Sequence, residues 1–311
     1  MCYFEVYFNF NSLKKENSTK LLYTLEYIYI QFYVYKAKIA ILNNNKSQMS
    51  DYNQLDLQKA FERVKINKGD SIFLTTGLGM LGSPKTNNKN FMLISSKWLL
   101  ECVIKIIGKS GNIFVPTYSY TFKKKLKTYN PRTTAANIGY FPNYFLKQKG
   151  IIRSNDPMMS IAGYGPKAKE ILQGISNNSF GKNCAFERLF KIKKLKCCHV
   201  GLSYNWIPFM HYLDWKNKVP FRFDKTFYGY IKINKIKKKI KWVYSARYLR
   251  KETVSNGYKI GFKAVQNKLY KHTIIGKSML YSIDYKKFFA FSKKLTKNNK
   301  WLTVNGPPFK I

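Results

Sequence analysis

Acidic residues are scarce in this chain: 15 Asp and Glu stand against 56 Lys and Arg, for a formal net charge of +41. Any cleft in such a protein attracts anions and repels polycations. Histidine is scarcer, with three in 311 residues, at positions 199, 211 and 272, which confines imidazole chemistry to three places. Cysteine occurs five times, at 2, 102, 184, 197 and 198. An odd count without framework spacing excludes a disulfide scaffold and points to reduced thiols in a cytoplasmic setting. Cys197-Cys198-His199 is the one dense group of soft ligands. Neighbours in a strand point to opposite faces and no second ligand pair accompanies it, so a buried core strand is expected there and no metal.

A long apolar run is also missing. Leu21–Leu42 is interrupted by Glu26, Gln31, Lys36 and Lys38, and its longest charge-free stretch is about nine residues, against the ~20 that span a bilayer. No membrane span and no secretory signal are expected. What the chain does have is 45% apolar and 17% aromatic residues, enough for a substantial core, which excludes a disordered chain. Two explanations of the basic excess stay open. One is a polyanionic partner; the other is AT-rich coding, which raises Lys, Asn, Ile, Tyr and Phe together. The scatter of lysines along the whole chain favours the second.

Residues 1–48 do not resemble the rest. Met49-Ser50-Asp51 opens the first helix-like stretch, so Met49 is the expected start of a folded domain over 49–311. The preceding segment is then translated upstream sequence or, alternatively, an amphipathic extension. From Met49 onward the patterning alternates. A helix is predicted over Asn53–Ile66, a strand over Ser71–Thr76, a helix over Met92–Ile107, and a strand through IFVPTYSY (113–120). Short helices follow near 142–149, 166–173 and 185–191, then a strand over Leu195–Gly201 and a short helix over 208–215. Charged alternating strands occupy about 219–250, and a strand near 279–283 precedes a helix over 284–295. Strand, loop, helix, strand is the α/β signature.

Four segments carry candidate chemistry: TTGLGMLG (75–82) after the first strand, NPRTTAANIGY (130–140), RSNDPMMSIAGYG (153–165), and MHYLD (210–214) followed by VPFR (219–222) and Lys225. With FERL (186–189), this succession resembles the aminoglycoside 3-N-acetyltransferase family across roughly residues 55–295. The resemblance implies a single mixed-sheet α/β domain of that type behind a non-homologous N-terminal extension. It further implies acetyl-CoA as cosubstrate, an amine on a sugar as acceptor, and a homodimer as one possible assembly.

The resemblance also assigns residues. Thr75, Thr76, Gly77 and Leu78 match the loop that holds CoA, Gly77 being the point where backbone can approach a pyrophosphate. Arg132, Thr133 and Thr134 match an Arg-Thr-Thr stretch, and Arg153, Ser154 and Ser160 match a cofactor-side motif. His211 falls at the catalytic imidazole. Its ordinary pKa near 6.5 suits a general base that takes the proton from an ammonium at neutral pH. Asp214, three residues on, shares a helix face with it and is expected to orient the ring. Two departures are visible. Asp156 stands where the family has His, and could serve the substrate amine or His211, or mark lost activity. Asp214 stands where the family has Glu. No cysteine is placed as an acyl carrier, so direct transfer in a ternary complex is expected.

Net charge argues against a polycationic acceptor and for a neutral or anionic one, such as an amino sugar on a nucleotide or surface-glycan precursor. A rival reading is a basic nucleic-acid binder using the Lys/aromatic run 225–244. Buried aromatics beneath a charged outer face of a sheet is the structural alternative, and no specific nucleic-acid partner is expected.

Overall fold

The computed structural model describes residues 52–124, 127–205, 207 and 209–306; the expected extension over 1–48 lies outside them. The chain enters through α1 (Gln54–Arg63). Asn53 and Asp56 cap it reciprocally, each side chain accepting the other's backbone N–H, while Leu57, Ala60 and Phe61 turn inward. Then follow β1 (Ser71–Thr76), α2 (Phe91–Ile107), β2 (Asn112–Pro116), β3 (Thr128–Tyr129) and α3 (Tyr140–Leu146). Next come β4 (Ile152–Arg153), β5 (Ile161–Tyr164), α4 (Ala168–Leu172), α5 (Ala185–Lys191), β6 (Leu195–Val200) and α6 (Met210–Lys216). The C-terminal third adds β7 (Arg222–Ile233), β8 (Ile236–Arg247), α7 (Tyr258–Gln266), β9 (Tyr270–Ile275), β10 (Ser278–Asp284) and α8 (Tyr285–Asn298).

The strands form two sheets. A seven-stranded mixed sheet runs β4-β5-β2-β1-β6-β10-β9, with β2, β1 and β6 parallel at its centre and antiparallel strands on both flanks. The centre is parallel because β1, β2 and β6 are buried almost throughout, and helices must cover both faces of such strands. Ile72, Leu74, Ile113, Val115, Cys198 and Val200 pack with Phe61, Leu99 and Val103 in one core. Burying each of the large ones is worth roughly 1.5–3 kcal/mol. Cys197, Cys198 and His199 are all buried within β6, and among the described residues no three potential ligands come together.

The second sheet, β3-β7-β8, is dominated by a twelve-residue-per-strand hairpin closed at Asn234, whose φ of 55° supplies the left-handed bend. Lys237, Lys239 and Lys241 share one exposed face of β8. Trp242 and Tyr244 lie beneath, with the Trp242 indole N–H donating to Ser179 Oγ at 2.9 Å.

Three differences from the predicted elements have physical reasons. The second strand stops at Pro116 instead of running to Tyr120. Beyond it, Thr117, Ser119 and Tyr120 donate to Ser160 and Met158 carbonyls, and Tyr120 turns left-handed at φ 48°. The 208–215 helix starts two residues later, at Met210. Strands β3, β4, β5 and β9 and helix α7 were not predicted. The two-residue β4 and four-residue β5 are shorter than any window in which alternation can be read. No helix among the described residues is long and apolar enough to cross a membrane.

Candidate active site

The hairpin, Tyr120, Phe122, Lys123 and Lys127, and the start of α6 line an open cavity of ≈1120 Å³, into which His211 projects. Among the described residues its wall carries Lys123, Lys127, Arg222, Lys225 and Arg247 and no carboxylate. Lys123 Nζ sits 4.7 Å from the ring centre of Tyr244 and 5.1 Å from that of Tyr120. Burial and the neighbouring Arg247, Lys225 and Arg222 hold the Lys123 ammonium below the usual lysine range.

His211 and Asp214 share α6, as their spacing requires, but they do not meet. Arg222, the first residue of β7, stands between them. Its Nε donates to Asp214 Oδ2 at 2.9 Å, its Nη1 to the Ser245 carbonyl at 3.0 Å, and its Nη2 to His211 Nδ1 at 2.6 Å. Thr303 Oγ1 donates to the other Asp214 oxygen at 2.6 Å. Asp214 is therefore spent on Arg222 and Thr303, and the expected direct Asp–His orientation is replaced by a guanidinium bridge. The consequence is chemical. A guanidinium only donates, so His211 Nδ1 must accept, and the neutral ring carries its hydrogen on Nε2. Burial first, then Arg222, Lys123 and Arg247, push the imidazole well below its ordinary pKa, so the ring is neutral at physiological pH.

Asp156 is neither beside His211 nor on the cavity wall. Its Oδ1 accepts from Met158 N at 2.8 Å, Met159 N at 2.9 Å and Ser179 Oγ at 3.0 Å, which makes it the cap of a buried turn. Three donors within the fold hold that oxygen, and the hydrogen bond given for the His211 ring, at Nδ1, is to Arg222 and not to this carboxylate. Burial outweighs those bonds and raises its carboxyl from 3.8 to about 6. The folded state thus holds this proton over a window where the unfolded chain has lost it. Stability from this group is full below about pH 4 and lost as pH rises through 6, about 3 kcal/mol for about two pKa units. Asp156→Asn keeps an acceptor oxygen and removes the buried charge. It is expected to be more stable than the parent at pH 7–8 by up to about 3 kcal/mol, and equal to it near pH 4. Urea unfolding at the two pH values measures this.

The residues expected to hold the cofactor separate into two groups, neither on the cavity wall. Thr75 Oγ1 lies 2.7 Å from His199 Nδ1 and 3.3 Å from the Cys198 carbonyl, so its hydroxyl is engaged within the sheet. Burial takes His199 down to about 3, leaving it a neutral core residue. Gly77 N–H donates to the Val200 carbonyl at 2.8 Å. A Cβ at Gly77 would stand 2.6 Å from Leu202 Cδ2 and 3.0 Å from Gly201 O. The glycine is thus required by close approach of the chain after β6, and its amide is not open to a pyrophosphate. Leu78 is buried, and Thr76 is half-buried at the end of β1.

The second group is a buried polar network. Arg153 Nε donates to Thr117 Oγ1 and Ser160 Oγ, its Nη2 donates to Thr117 O at 2.6 Å, and its Nη1 donates to Thr134 O. Ser154 Oγ accepts from Ile161 N at 3.0 Å. Thr134 belongs to a self-contained turn around Asn130, on which Arg132 and Thr133 are exposed. Arg153 satisfies every nearby acceptor, as a buried guanidinium must; it braces β4, β5 and this turn.

The described cysteines are no better placed for chemistry. Cys102, Cys184, Cys197 and Cys198 are buried and outside the cavity wall, and burial pushes the Cys102 thiol up to about 11 and the Cys198 thiol up to about 12. Sequence reasoning quoted Arg222 within VPFR but gave it no role. Lys123 and Arg247 carried no signal, and Tyr244 was noted only as the end of the Lys/aromatic run, because a hairpin and a loop far apart in sequence bring them to His211.

This architecture is shared with solved aminoglycoside acetyltransferases. AAC(3)-Xa superposes with a TM-score of 0.69 at 13% identity, covering 85% of this chain and 98% of that one. AAC-IIIb in a binary complex with CoASH gives 0.68 at 13% identity, over 83% and 100%. AAC-VIa bound to sisomicin gives 0.68 at 13%, over 80% and 98%. No curated protein matches the chain in sequence. The fold of this chain is therefore the one these acetyltransferases share. Residues 89–297, a span that contains every residue lining the cavity, match the sequence profile of the aminoglycoside 3-N-acetyltransferases, and the chain belongs to that family, whose cosubstrate is acetyl-CoA.

Proposed function

We propose that this chain transfers the acetyl group of acetyl-CoA directly to an amino group on a sugar, at the end of the cavity where His211 projects. The observation that carries this reading is one helix-borne imidazole in a basic, aromatic cavity, within the matched family span. Relatives of the same fold bind CoASH and sisomicin, which supports the two ligand classes. The acceptor nitrogen attacks the thioester carbonyl carbon and a C–N bond forms; the C–S bond breaks, and the departing thiolate of CoA takes up, in the net reaction, the proton that the nitrogen gives up. Absence of any thiol on the cavity wall favours transfer without an acyl-cysteine stage.

His211 serves this reaction as a neutral hydrogen-bond donor. With Arg222 on Nδ1, the Nε2–H is available to the carbonyl oxygen as negative charge develops there. A general base needs a lone pair on that same nitrogen, and this tautomer has none. Burial first, and then the cations that also lower Lys123, favour the unprotonated form of an amine held in this cavity. The base reading of His211 would require Arg222 to leave Nδ1.

Thiol release from acetyl-CoA by the full chain, with sugar amines as acceptors, tests the function. Release that depends on acceptor is expected. Its pH profile should show no acid limb near 6.5, because His211 does not titrate there. No acceptor-dependent release with any amine would sink the proposal, and an inflection near 6.5 that vanishes in His211→Gln would restore the general base.

A further inference from the structure

The cavity has features that acetyl transfer to a generic sugar amine does not explain. Of its five cations, Arg222 alone has a carboxylate partner, Asp214, and that partner is 1% exposed and behind the wall. The neighbouring Asp224 is on β7 but not among the lining residues. Lys225 is exposed on the strand, and Arg247 donates only to Tyr248 O and Thr253 Oγ1, both at 3.3 Å. The described wall has no counter-charge for an ammonium-rich ligand, while Lys225 and Arg247 each offer a charge-assisted bond to phosphate. At the mouth, Phe223 and Tyr248 lie 4.9 Å apart at 35°, yet are 38% and 47% exposed. Aromatic faces left open beside a cluster of cations form a stacking platform with phosphate sites next to it.

We propose that the acceptor is an anionic amino sugar linked to a nucleotide, with its phosphates on Lys225 and Arg247, its base on the Phe223–Tyr248 pair and its amine toward His211. Polycationic aminoglycosides are poor acceptors for this chain. This rests on the acetyl-transfer reading above and narrows its substrate. CoA is the other phosphate-bearing ligand of the reaction, so the experiment separates the two.

Full-length protein is assayed with acetyl-CoA and four amines: glucosamine, glucosamine 6-phosphate, uridine diphosphate glucosamine and sisomicin. Binding of each amine is measured in parallel by calorimetry. The expected order of kcat/KM places the nucleotide-linked sugar on the order of 100-fold above glucosamine, with sisomicin lowest, and binding follows the same order. Lys225→Glu and Tyr248→Ala, both at exposed positions, should each raise the KM of the nucleotide-linked sugar about tenfold and leave that of acetyl-CoA within about twofold. Sisomicin as the best acceptor overturns the proposal. So does a rise confined to the KM of acetyl-CoA, which would assign the cavity to CoA. If no amine is acetylated, the functional reading fails on its own. Calorimetry then still decides this inference: tighter binding of the nucleotide-linked sugar than of sisomicin, lost in Lys225→Glu, upholds it, and the reverse order ends it.

Discussion

Arg222→Met is expected to destabilise the protein by about 3–5 kcal/mol, the usual cost of stranding one member of a buried ion pair. Both side chains of the Arg222–Asp214 pair are buried. Without the guanidinium, the Asp214 carboxylate keeps only the Thr303 hydroxyl as a bond. Arg222→Lys should recover little. One fork now reaches Asp214, His211 and Ser245 O at once, and a point-charge ammonium cannot bridge three acceptors so arranged. The double variant Arg222→Met with Asp214→Leu should regain much of the loss, since it removes the stranded charge as well. Denaturant midpoints at pH 7 read all four proteins. A single variant within about 1 kcal/mol of the parent would mean that the pair is not the buried bridge described here.

The second large effect concerns rate. His211→Ala should lower kcat by about 10²–10³, the loss seen when one donor to a developing oxyanion is removed. His211→Gln separates the two roles that an imidazole can play. The Gln amide N–H can stand near the place of Nε2–H, and an amide cannot accept a proton at neutral pH. A donor role predicts that Gln retains activity well above Ala; a general-base role predicts that the two are equally impaired. Structural damage is controlled by unfolding curves, because His211 is only half-buried at the start of α6 and either change should leave the fold standing.

Helix and strand positions were readable wherever burial repeats over a window long enough to show a period. β1 over Ser71–Thr76 and α5 over Ala185–Lys191 have the predicted bounds, and α2 begins one residue before its predicted start. The reading failed on the short strands, on α7 and β9, and on Thr117–Tyr120, where bonds to a segment about 40 residues away override a β-rich local sequence. The motifs likewise located the family, while several individual assignments within them changed. Gly77 is small because Gly201 crosses it, and Asp156 is acidic where a turn needs a cap.

What the sequence by itself determined is the α/β class, the family, the one histidine worth testing, and a field hostile to polycations. Each of these follows from composition or from residues close together in the chain. Only the tertiary structure decided which charge faces that histidine. Asp214 is three residues from His211 and Arg222 is eleven, so local spacing favours the carboxylate. The fold reverses this, because β7 brings the guanidinium between them, and a side chain's proton affinity answers to the nearest charges in space whatever their distance along the chain.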